Sequence, residues 1–141
     1  MNDIEMLNCI AQGAEMGCQG VTAVRKRIRN GAVDQLLLSQ MTRYGKIYHA
    51  AGLMLRNRGE NIRHISPIAK KMTRLSAEMD LRRDSTPSHV AEMMIKGSTM
   101  GVNKLVHSLR SYDRTDPTVT LLAKKLLDTE EEHIRELRTF V

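Results

Sequence analysis

DSTPSHVAEMMIKGSTMGVNKLVHSLRSYDRTDPTVTLLAKKLLDTEEEHIREL, residues 84–137, reads as two long helices joined by a tight link. Each begins with the same punctuation. Thr86-Pro87 and Asp116-Pro117 place a side-chain oxygen able to cap free helical N–H groups, then a proline whose missing N–H costs nothing at the first helical position. Ser66-Pro67 repeats the signature upstream. At the other end, Gly31 suits a left-handed position after a helix stop at Asn30, and Gly59 closes the next periodic stretch. These breaks predict helices at about 3–29, 32–58, 67–82, 87–112 and 117–140.

Four of these stretches are near 25 residues, roughly 35–40 Å each, and one is shorter. Short links pair the first with the second and the fourth with the fifth, which makes two antiparallel hairpins. About 28 residues separate the hairpins, enough to run the length of a bundle. Two hairpins joined by one long crossover is the connectivity of ferritin-like four-helix bundles, here with a short fifth helix inside the crossover. The 141 residues suit a single domain, 1–141, with a core of its own. The short helix places Ile68, Met72, Leu75 and Met79 on one stripe, expected to cover the core.

Composition agrees with an all-α chain. Aromatic residues are limited to Tyr44, Tyr48, Tyr112 and Phe140, while Ala, Leu, Met, Lys, Arg and Glu dominate. No apolar run approaches the roughly 20 residues of a membrane span. The start, MNDIEMLNCI, carries acids where an export signal carries Lys or Arg. Cys9 and Cys18, about 13 Å apart on one helix, cannot bridge one another. Free thiols point to a reducing cytoplasm. The net charge of +6 is spread along the chain and interrupted by Asp128 and Glu130–Glu132, so it reads as solvated surface. No basic-aromatic motif accompanies it, which disfavours nucleic-acid binding.

The segments TPSHVAEMMIKGSTMGVNKLVHSLRSY and DPTVTLLAKKLLDTEEEHIREL resemble the C-terminal hairpin of small, uncharacterised bacterial ferritin-like proteins. IAQGAEMGCQG and SQMTRYGKIYHAAG are similar to the same group more loosely, and AEMMIKGSTMGV is the most specific piece. The resemblance implies the fold and descent from di-iron carboxylate proteins. It carries no reaction with it.

A di-iron bundle needs an inward Glu on two helices and an inward Glu-x-x-His on the other two, because bridging carboxylates balance the metal charge and imidazoles complete the coordination. Turning each helix by about 100° per residue tests this. On the first helix Leu7, Ile10, Ala14, Cys18, Val21 and Ile28 face inward, with Glu15 at the margin. The stripe of the second runs from Val33 to Leu55 and holds no carboxylate; its polar members are Gln40, Tyr44 and Tyr48, and His49 points away. The fourth presents Val90, Met94, Gly97, Gly101, Leu105 and Leu109, with His89 and Glu92 turned to solvent. Only the fifth, through Val119, Leu122, Leu126, Leu137 and Val141, carries a Glu-x-x-His inward, as Glu130 and His133.

One inward carboxylate stands where four are wanted. The pair is therefore expected to join a buried polar network with Tyr44, Gln40 and Ser98, with a single-metal or remnant site at Glu130 and His133 as the alternative. Met41, Met54, Met72 and Met94 read as core fillers in a chain poor in aromatics. Gly97 and Gly101 read as a close helix approach. No nucleophile arrangement or phosphate loop is present, and no cofactor is predicted. The function expected is a non-catalytic interaction or structural bundle, a homo-oligomer or a partner-binding scaffold. An iron-binding protein or di-iron oxidoreductase is one alternative, and a basic nucleic-acid binder the other.

Overall fold

The computed structural model describes residues 1–28 and 31–141 and contains five helices: α1 (Asp3–Arg25), α2 (Ala32–Arg56), α3 (Pro67–Arg83), α4 (Pro87–Ser111) and α5 (Pro117–Arg138). Among the described residues there is no strand. The local chemistry that starts each helix is visible. Ser66 Oγ accepts from the Ala69 N–H at 3.1 Å, Thr86 Oγ1 from His89 at 3.3 Å, and Asp116 Oδ1 from Thr118 at 2.9 Å. Asn2 and Glu5 exchange side-chain-to-backbone bonds of 2.9 Å in a reciprocal capping box. Gly31, at φ +114°, opens α2 in a conformation that a side chain would strain.

Helix α1 ends at Arg25, four residues before the expected boundary. Its last turn tightens, with the Arg27 N–H on the Val24 carbonyl at 3.0 Å. The expected stop at Asn30 lies outside the described residues.

Helix α1 packs along α2 and α4, and α5 packs along α4 and α2. Each of these pairs is antiparallel. Arg25 meets Asp34 near one end of the α1–α2 hairpin, and the Gly17 backbone meets the Tyr44 ring farther along. The N-terminus is fixed to the α4–α5 turn: the Met1 ammonium donates to the Ser111 carbonyl at 3.0 Å, and Asp3 accepts from Tyr112 and Thr115 at 2.6 Å each. The segment between α2 and α3 is tied to α1. Asn8 accepts from the Arg63 N–H at 2.7 Å, and Gln12 donates to the Arg63 carbonyl at 2.7 Å.

The apolar core falls into two clusters. One gathers Met6, Leu7, Ile10, Ala14, Ile47, Leu55, Leu105, Val119 and Leu126; the other gathers Val21, Val24, Leu37, Leu81, Val90 and Leu137. Tyr44 belongs to the first cluster, and Glu130 and His133 are buried beside it.

Three expected faces are corrected. Ile68, Met72, Leu75 and Met79 do not cover the core: they are 74%, 65%, 49% and 68% exposed. Helix α3 turns its opposite face to α1, through Ala69, Thr73, Ala77 and Leu81. Small side chains let the two backbones approach, and this shape match outweighs the periodicity of the bulkier stripe. Met72 is thus no core filler, whereas Met41, Met54 and Met94 are partly buried against the clusters. Gly97 is exposed and meets nothing within 4 Å, so it marks no close approach. Val141, at the chain's end, is exposed rather than inward.

Candidate functional site

The centre of the bundle is polar. Tyr44 comes from the middle of α2, Ser98 and Gly101 from α4, and Glu130 and His133 from α5, where a spacing of three residues puts the last two on one face. Tyr44, Ser98, Gln40, Glu130 and His133 are all buried.

The Tyr44 hydroxyl donates to Glu130 Oε1 and lies 3.5 Å from Ser98 Oγ. Gln40 reaches the same layer from the next turn: its amide lies 3.4 Å from the His133 backbone carbonyl and 3.4 Å from Glu136 Oε1. Arg43 closes the edge of the cluster with two bonds to the Glu136 carboxylate, at 2.6 and 3.0 Å. His133 is fully buried, and neither ring nitrogen has a hydrogen-bond partner. Its ring stands edge-on to Tyr44 with centroids 4.7 Å apart.

The electrostatics follow from burial. Desolvation pushes the Glu130 carboxyl up to about 7, against a smaller downward pull from the Tyr44 bond. Desolvation, reinforced by the Arg43 charge, pushes the His133 imidazole down to about 4. Burial also raises the Tyr44 phenol, with the Glu130 charge adding to it. The favoured state near neutral pH holds an uncharged imidazole beside a carboxyl poised at its midpoint.

Space around the cluster is tight. A Cβ at Gly101 would collide with Glu130 Oε2, and one at Gly17 would fall 2.5 Å from the Tyr44 ring. Gly17 is therefore required by the ring beside it, whereas a side chain at Gly101 would oblige the Glu130 carboxylate to shift. Tyr44→Phe should cost about 1–3 kcal/mol, since Glu130 loses its donor while staying buried. The loss should grow above pH 7, where Glu130 is charged. Urea denaturation at two pH values measures both effects.

The other acidic side chains lie elsewhere. Glu15, expected at the margin of α1, is buried, but beneath the crossover: it holds Lys70 Nζ at 2.7 Å, with His64 Nδ1 at 3.5 Å. Asp34, which the reading of α2 missed, is buried at the end of the bundle, 2.6 Å from Arg25 Nε. An Arg nine residues upstream, across the first turn, was the available signal. His89 does not face solvent freely; its Nε2 lies 3.2 Å from Asp80 Oδ1 on α3. Among the described residues, no group of three or more His, Cys, Asp and Glu side chains assembles to hold a metal ion. The donor set at Glu130 and His133 does not fit a di-iron centre, which needs four carboxylates on four helices.

Fold and site together define an all-α helical bundle with a buried Tyr–Glu–His layer. A crystal structure of a DUF305 fragment from Deinococcus radiodurans matches it with a TM-score of 0.73, covering 97% of this chain and 93% of that one at 16% identity. At that identity the likeness is one of fold. No protein-family model matches the sequence, and no curated protein does. No described helix is long and apolar enough to cross a membrane.

Proposed function

We propose that this chain is a single-domain, non-catalytic helical bundle of ferritin-like descent that acts by binding through its surface. The observation that carries this reading is the outward stripe of α3, where four large apolar side chains lie in solvent along a single helix face. Descent is supported by the antiparallel neighbours, α1 with α2 and α4, and by the crossover helix lying along α1. The central layer is structural: it satisfies Tyr44 and Glu130 and sets the spacing of α2, α4 and α5. Two unbridged cysteines support a reducing compartment, the cytoplasm.

Metal analysis tests the reading. Protein purified without chelator should carry far less than one iron per chain, and added Fe(II) should leave its melting temperature unchanged. Two irons per chain with an oxo-bridge absorption band would overturn it in favour of a di-iron oxidoreductase.

A further inference from the structure

We infer that the outward face of α3 is a self-association surface, on which two copies of this chain pair antiparallel about a two-fold axis. Resting on the surface-binding function proposed above, this deepens it by naming the partner. On a helix with 3.6 residues per turn, Ile68, Met72, Leu75 and Met79 fall within about 60° of arc. Their spacing of four, three and four is the d-a-d-a register of a coiled-coil seam. The face of α3 that meets α1 lies nearly opposite, so the fold leaves this seam open.

Charge selects the partner and its direction. In this register Lys71 and Glu78 occupy the two g positions beside the seam. Among the described residues, neither is drawn into an ion pair within the chain. In an antiparallel pair, Ile68 of one copy layers on Met79 of the other, and Met72 on Leu75. The g positions then face each other, so Lys71 of each copy meets Glu78 of its mate. Two complementary pairs form by symmetry. A parallel pair would set Lys71 against Ser76, leaving it unmatched, and Glu78 against Arg83, which already pairs with Asp80 at 3.2 Å within its own helix. The four apolar side chains offer on the order of 500 Å² per copy, so the contact sits near the roughly 1,200 Å² lower bound of specific interfaces. A concentration-dependent dimer follows, rather than an obligate one.

Sedimentation equilibrium of the full chain over a wide concentration range, with circular dichroism to verify folding, provides the test. The parent should show a monomer–dimer equilibrium. Met72→Glu combined with Leu75→Glu, both at exposed positions, should remain helical and monomeric. Lys71→Glu and Glu78→Lys should each weaken dimerisation about tenfold, because each alone places like charges at both contacts. Mixing the two variants, or combining the substitutions in one chain, should restore it. A parent that stays monomeric throughout, or a dimer indifferent to the apolar and charge substitutions, would overturn the pairing. A monomeric parent that also lacks iron would sink the self-association surface alone, whereas two bound irons would sink the non-catalytic reading.

Discussion

Replacing Glu130 with Gln should change the pH dependence of stability by about 3 kcal/mol while leaving the fold intact. The carboxyl is pushed from its ordinary 4.5 up to about 7 in the folded chain. Between those values the folded state holds a proton that the unfolded state has released. Its contribution is therefore fully present below pH 4.5 and is lost as pH rises through 7. His133 works in the opposite direction. Its imidazole is pushed from 6.5 down to about 4, so the unfolded state binds the extra proton, and the contribution of the neutral ring is present above 6.5 and lost as pH falls toward 4. Across pH 4.5–6.5 the two slopes nearly cancel. Gln keeps an acceptor for the Tyr44 hydroxyl but does not titrate. The variant should then gain about 3 kcal/mol relative to the parent between pH 4.5 and 8, because the parent alone must take up a proton on folding or, above 7, bury a charge. Urea denaturation of both proteins across this range measures the gap, and other groups drop out of the difference. A gap that does not vary with pH would mean that Glu130 is hydrated in the folded protein.

How much of this could be read in the sequence differs between elements. The cap-plus-proline starts located α3, α4 and α5, because Pro67, Pro87 and Pro117 each open a helix whatever lies around them. The position of Glu130 on the inner face was legible as well, since α5 has a strongly one-sided pattern in which Val119, Leu126 and Leu137 flank it. Helix α3 was not legible in that way. Its apolar stripe and its packed face are different faces, and periodicity reports only the first. What settles the orientation is a match of small surfaces, Ala69, Thr73 and Ala77 against α1, which depends on a partner far away in the chain. Glu15 escaped for a related reason. Its burial comes from the crossover laid over α1, and the Lys70 contact that satisfies it joins residues 55 positions apart.

The glycines make this dependence on partners measurable. Gly17→Ala should destabilise the protein by about 2 kcal/mol, although Ala is favoured over Gly within a helix by about 1 kcal/mol. The added Cβ would stand 2.5 Å from Cε2 and Cζ of Tyr44, where no side-chain carbon fits. The ring has little freedom to yield: its hydroxyl is bonded to Glu130, and it stands nearly perpendicular to the His133 ring with centroids 4.7 Å apart. Moving it either stretches that bond or presses on the imidazole, so the overpacking cost of roughly 1–3 kcal/mol is joined by a loosened hydrogen bond. Gly97→Ala is the matched control. That position also lies inside a long helix, but it is exposed with nothing within 4 Å, so only propensity acts. It should stabilise by up to about 1 kcal/mol. The two substitutions are chemically identical and should shift the denaturation midpoint in opposite directions. If Gly17→Ala proved as stabilising as Gly97→Ala, α1 would not pack against the Tyr44 ring, and the close approach of α1 and α2 at the polar layer would be wrong.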